Sequence, residues 1–145
     1  MINYPHMLKR YSPYIAWTTA LASLAGSLFF SEVLHYAPCS LCWYGRVLMY
    51  PLVVIIGVGI LRRETHWLFY AAPLAVAGWL LALYHTLLQW GIIPEVIKPC
   101  VVNVPCTTKY INLFGFITIP FLEWLAFSLI AVCLYLYWKE TTRVA

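Results

Sequence analysis

The 145-residue sequence contains no aspartate, and Lys, Arg and Glu together make up only 10% of it. Soluble domains carry roughly 25% charged residues, because charge is what covers a water-facing surface. Nine basic and five acidic side chains cannot cover a chain that is 63% hydrophobic and 17% aromatic. A soluble globular domain is therefore excluded, and the natural solvent is a bilayer. The sequence also lacks an internal repeat, a linker and any low-complexity tract. Spanning helices use about 20 residues each, so four of them leave no room for a separate soluble domain. The net charge of +4 is spread along the chain, which suits setting orientation in a membrane rather than binding nucleic acid.

Long apolar runs cover Ile15 to Leu34, Val47 to Leu61 with a lead-in from Cys42, Trp67 to Trp90, and Ile117 to Tyr137. Backbone polar groups in hydrocarbon must be satisfied within the segment, so runs of this length are read as helices; barrel strands would be shorter and would alternate. The sequence thus predicts an all-α integral membrane protein, a four-helix transmembrane bundle forming one domain over residues 1–145, with spans at about 14–35, 43–61, 67–90 and 116–138. Outer loops fall at 36–42 and 91–115, the second punctuated by Pro94, Pro99 and Pro105.

Basic residues set the expected orientation. Lys9, Arg10, Arg62, Arg63, Lys139 and Arg143 fall on one side, and Arg46, Lys98 and Lys109 on the other. That bias places both termini in the cytoplasm, the two outer loops outside, and the chain in the cytoplasmic membrane. A cleaved signal peptide is the rival reading of the N-terminus, with Lys9-Arg10 before an apolar run containing Ala20-Leu21-Ala22. The run stays apolar through Phe29 and Phe30, which favours an uncleaved first span.

Four of the five cysteines then face the outer, oxidising side. Cys39 and Cys42 form a Cys-x-x-Cys where the first outer loop meets the second span, Cys100 and Cys106 lie in the second loop, and Cys133 inside the fourth span reads as a small buried hydrophobe. A Cys-x-x-Cys pair has both a redox and a metal reading. Arg46 stands four residues after Cys42, one helical turn below that sulfur on the same face, and the helix start favours an anion there. Both effects are expected to raise the thiolate fraction of Cys42; the competing reading is that Arg46 snorkels to the outer interface. Proline directly precedes Cys39, Cys100 and Cys106, so these cysteines are expected in exposed, non-helical chain open to another protein's thiol.

Ionisable groups in spans are costly and mark function. Here they gather at one depth: Glu32 and His35 near the outer end of the first span, Arg46 at the start of the second, His85 and Gln89 at the end of the third, and Glu123 at the start of the fourth. Such a cluster could hold the polar head of a membrane-soluble molecule while its tail stays in lipid.

Cys39-Ser-Leu-Cys42-Trp-Tyr-Gly-Arg46, Tyr84-His85-Thr86-Leu87-Leu88-Gln89, the Cys100 and Cys106 pair, and Phe114-Gly115 with Pro120 resemble, in order from about Tyr14 to Lys139, the disulfide bond formation proteins of the DsbB family, and within it the short Gram-positive-type BdbC branch. Only five residues separate Cys100 from Cys106, far fewer than in Gram-negative members. The resemblance implies a protein dithiol:quinone oxidoreductase that re-oxidises an extracytoplasmic thioredoxin-fold thiol oxidase and draws on the membrane pool of ubiquinone or menaquinone. By position, Cys100 would take the partner's attack and Cys106 would be released to attack Cys39. Cys42 would then pass electrons to a quinone held near Arg46 and His85, with Gln89 beside them, and would be the best-stabilised leaving thiolate. Two other readings are a small soft-metal transporter, for which the inner halves of the spans offer no ligand chain apart from Cys133, and a structural four-span protein braced by disulfides, which leaves Arg46 and His85 without a task.

Overall fold

The computed structural model describes residues 4–94, 105–112 and 114–144. Four helices order the chain: α1 (Tyr4–Leu28), continued by a π-helical turn (Phe29–Val33), then α2 (Ser40–Arg62), α3 (Leu68–Gln89) and α4 (Ile119–Val144). All four are long and apolar enough to cross a bilayer, and the protein is a four-span, all-helical membrane bundle. Each helix packs chiefly on two others, giving a ring in the order α1, α2, α3, α4 and back to α1.

The bundle is apolar in its middle. Met49, Leu52 and Ile56 of α2, Ala71, Ala75 and Ala82 of α3, and Phe127, Ile130 and Leu134 of α4 meet Ala16 and Ala20 of α1 in one core. Cys133 lies in it as well, a buried free thiol among apolar neighbours. Small residues on α1 and α3 let helices approach closely, which matters in lipid because van der Waals packing, not water exclusion, drives helix association there. Gly78 is the tightest such point on α3: a Cβ placed on it would overlap the ring of Phe127, itself fully buried. The outer surface carries large apolar side chains such as Val54, Phe69, Leu80 and Val132, as a lipid-facing surface should.

The second helix starts earlier than the apolar pattern suggests. The expected span begins at residue 43, yet α2 begins at Ser40, so Cys42 belongs to its first turn. The reason is local: Cys39, with extended backbone, is the N-cap, and its sulfur accepts a hydrogen bond from the Cys42 backbone N–H at 3.4 Å. Before it, the π-helical turn ends as the Leu34 and Tyr36 N–H groups bond back to Phe29 and Phe30, and His35 turns the chain through a left-handed φ of 54°.

Gly78→Val should force Phe127 out of the α3–α4 seam and destabilise the bundle by about 1–3 kcal/mol. Thermal unfolding in detergent should show a lowered midpoint. Gly26→Ala, whose new methyl would meet nothing within 4 Å, should leave the midpoint where it was or raise it.

Candidate functional site: a sulfur pair between a loop and a cavity

Cys39 and Cys42 lie one turn apart at the N-terminus of α2, as free thiols with their sulfurs 3.0 Å from each other. Cys39 is buried and Cys42 half-buried. The Cys39 sulfur lies 3.7 Å from Nε2 of His85, which reaches it from α3. The Cys39 thiol is held below the ordinary thiol range, first by the hydrogen bond with the Cys42 thiol, then by His85 and the Cys42 N–H, against the opposing effect of burial. The expectation placed thiolate stabilisation on Cys42 through Arg46. The structure gives the helix N-cap and the His85 contact to Cys39, because the helix starts one turn sooner.

Above Cys39 sits the segment 105–112 of the connection between α3 and α4. His85 Nε2 also lies 3.3 Å from the Cys106 carbonyl oxygen, and Gln89 Nε2 donates to the carbonyls of Cys106 at 3.2 Å and Thr108 at 3.1 Å. Tyr110 donates from its hydroxyl to the Ala37 carbonyl and stacks on Tyr36 at 4.8 Å, which ties the second loop to the first. A small cleft beneath this cover is lined by Cys39, Cys42, Gln89, Pro105 and Thr108. Cys106 is disulfide-bonded and fully buried; Cys100 lies outside the described residues. Exposure was expected of the cysteines that follow prolines, and both Cys39 and Cys106 are instead buried. The prolines do keep them off the helices, but the segment around Cys106 to Tyr110 lies on the bundle rather than standing away from it.

On the other side of the sulfur pair is a cavity of about 330 Å³ between α1, α2 and α4. Cys42, Gly45, Arg46 and Met49 of α2 form one wall, Ser23, Ser27 and Phe30 the α1 side, and Ile119, Leu122 and Glu123 the α4 side. Leu122 at its edge is exposed on the outer surface of the bundle. Arg46 is buried, so it does not snorkel. Its guanidinium donates to the Ser27 hydroxyl at 2.8 Å and the Ser27 carbonyl at 2.9 Å and lies 5.7 Å from the Trp43 ring centre. These bonds pin the cation in the cavity wall.

The polar residues expected at one depth therefore divide. Arg46 and Glu123 line the cavity, whereas His85 and Gln89 lie behind the sulfurs and hold Cys39 and the loop. Glu32 and His35 are exposed at the end of α1 and join neither group. Ser27, Phe30 and Gly45 were not singled out by sequence reasoning; the only signal was the Ser23-x-x-x-Ser27 spacing on α1 and a glycine between Cys42 and Arg46.

The family model of the disulfide bond formation protein DsbB matches residues 9–137. Disulfide bond formation protein C of Bacillus subtilis (strain 168) is 48% identical over 119 residues, covering 82% of this chain and 86% of that protein. A probable disulfide formation protein C of Halalkalibacterium halodurans is 44% identical over 125 residues, covering 86% and 91%. A probable disulfide formation protein C 2 of Bacillus cereus (strain ATCC 10987) is 43% identical over 136 residues, covering 94% and 97%. No solved structure matches the chain. With Cys39 and Cys42 at one end of a four-span bundle beneath the Cys106 segment, and relatives of this kind along nearly its whole length, the chain belongs to the DsbB family of disulfide bond formation proteins and is a disulfide-forming oxidoreductase of the membrane.

Proposed function

We propose that the protein oxidises the dithiol of an extracytoplasmic thioredoxin-fold thiol oxidase and passes the electrons to a membrane quinone, ubiquinone or menaquinone. The observation that carries this reading is the position of Cys42, which lines both the loop-covered cleft and the Arg46 cavity. A disulfide relay needs one sulfur that meets the incoming thiol and one that meets the electron acceptor. Cys39 lies under the Cys106 loop, and Cys42 faces the cavity.

The order of events is the one the family resemblance implies, and thiol chemistry is compatible with it. The partner's thiolate attacks Cys100, and the Cys106 thiolate leaves. Cys106 then attacks the Cys39–Cys42 disulfide at Cys39, displacing Cys42. The partner's second thiol attacks its mixed disulfide with Cys100 and leaves oxidised, and the released Cys100 thiolate attacks the Cys39–Cys106 bond at Cys106. This reforms the loop disulfide and leaves Cys39 and Cys42 as a dithiol. His85 stands beside both the Cys39 sulfur and the Cys106 backbone, so it orients the loop against Cys39, and Gln89 fixes the same loop segment through two carbonyls.

A cavity near the small end of the range for small-molecule sites, roughly 300–1,000 Å³, with mostly apolar walls, a pinned cation and an edge on the lipid-facing surface, fits one quinone ring whose tail stays in the bilayer. Arg46, Ser27 and Glu123 would contact the ring and Phe30 and Met49 would pack on it. A bound quinone supplies the two-electron, two-proton acceptor that the sulfurs need. His85 and Gln89 serve the sulfur side in this reading, not the ring. The proposed orientation puts both termini in the cytoplasm and the cysteine loops outside the cytoplasmic membrane, supported by the six-to-three split of basic residues.

A second reading rests on the ligand atoms of Cys39, Cys42 and His85, which lie within 4.8 Å of one another, close enough to share a soft ion. One experiment separates the two. The purified protein in detergent, given a reduced thioredoxin-fold oxidase and a quinone, should reduce the quinone catalytically; no turnover would remove the relay.

Each cysteine of the two pairs should be required. Cys100→Ser or Cys106→Ser should abolish oxidation of the protein partner, and full turnover in either would refute the two-pair relay. Cys133→Ala should keep nearly normal turnover. Arg46→Met, which keeps length and loses charge, should slow quinone reduction by about ten- to a hundredfold, since a hydrogen bond to a charged group contributes roughly 1.5–3 kcal/mol. Lys should rescue only in part, lacking the planar fork. Single-turnover exchange with the partner, measured without quinone, should stay near wild type; equal losses in both assays would mean that Arg46 supports the fold.

A further inference from the structure

Glu123 is the carboxylate of the Arg46 cavity. It reaches across from α4 to α2, and Gly45 is what admits it: a Cβ on Gly45 would overlap the Glu123 carboxylate. Gly45 is itself buried and lies between Cys42 and Arg46 along α2. The carboxylate is thus set among three neighbours of one helix, a thiol, a bare backbone and a guanidinium, all lining the same cavity. A counter-ion for Arg46 would be the bland role for such a group. Both hydrogen bonds of the guanidinium, however, go to Ser27 on α1. An intramembrane carboxylate that a glycine has made room for, beside a reacting thiol, has the placement of a proton carrier.

Resting on the quinone reading above, we propose that the Glu123 carboxylate carries the proton of the Cys42 thiol to the quinone in the Arg46 cavity. The balance closes. Oxidation of the Cys39–Cys42 dithiol to a disulfide releases two electrons and two protons, and reduction of a quinone to a quinol takes up two of each. Glu123 accepts one proton from Cys42 Sγ, gives it to a quinone oxygen and ends ionised as it began. The Cys39 proton leaves to outer water, and the second quinone oxygen takes one proton from outer water. The charged and titratable groups facing Glu123 are Cys42 and Arg46 on α2, Cys39 at its cap, and His85 on α3; α1 offers the cavity only Ser23 and Ser27 as polar side chains.

The test uses Glu123→Gln, which keeps shape and loses the exchangeable proton, beside Glu123→Asp and Gly45→Ala. In rapid mixing of pre-reduced protein with a soluble quinone, Glu123→Gln should be slower by about a hundredfold, the scale of general acid–base catalysis, and Asp should recover part of the rate. Since the ionised carboxylate must accept first, the wild-type rate should rise with pH through the Glu123 titration, and that limb should vanish in Glu123→Gln. Gly45→Ala, which displaces the carboxylate, should behave like Glu123→Gln. A readout independent of turnover is the infrared difference spectrum between disulfide and dithiol forms of quinone-free protein, which should contain a shifted carboxylate-stretch band, because the Cys42 thiol appears beside the ionised Glu123, and Glu123→Gln should remove it. Quinone reduction near the wild-type rate in Glu123→Gln, an unaltered pH profile, or no such carboxylate band would each overturn the proposal. Failure of the wild type itself to reduce quinone would instead overturn the quinone reading, and this proposal with it.

Discussion

Two sulfurs at the first turn of a membrane-spanning helix share one cleft, and only the second of them also meets the Arg46 cavity. Cys39 caps α2 from extended chain and turns toward α3 and the loop above, while Cys42, already helical, turns into the bundle. The 3.0 Å between them joins those two environments. Much of the surrounding structure serves that placement: the π-helical turn and His35 bring the chain down from α1 to the cap, and His85 and Gln89 hold the second loop over it.

The bilayer sets the terms for everything polar nearby. A guanidinium within a span is tolerated when its donors find partners, and Arg46 meets this with the hydroxyl and carbonyl of Ser27. Those bonds hold α1 to α2 at the level where the cavity opens between them. The middle of the bundle is apolar and closely packed, with Phe127 against Gly78 in the α3–α4 seam. Hollows open toward both ends: the Arg46 cavity at one, and at the other a groove of about 640 Å³ between α3 and α4 lined by His66, Phe69, Leu134 and Trp138 among others.

Helix number and class were legible because four long apolar runs leave few alternatives, and the sulfur chemistry was legible because Cys39, Cys42 and Arg46 are neighbours along one helix. Spacing of that kind exposes pairs on a single element. It does not show which face of α3 turns to which neighbour, so the contacts of His85 with Cys39 and of Gln89 with the Cys106 and Thr108 carbonyls were not legible. Glu123 was visible only as a charge in a span, because its meaning depends on Gly45 across the bundle, 78 positions earlier in the chain. The burial of Cys39 and Cys106 was hidden for a similar reason: proline dictates local backbone, not whether a loop folds back.

The central claim is that the sulfur pair divides two compartments, with the quinone on the α1–α2–α4 side. Photoaffinity labelling with a quinone carrying a photoreactive ring substituent, followed by peptide mapping of the detergent-solubilised protein, tests it directly. The account predicts label on the α1 segment around Ser23, Ser27 and Phe30 and on α4 around Ile119 to Glu123. Label concentrated instead on α3 around His85 and Gln89 would contradict it.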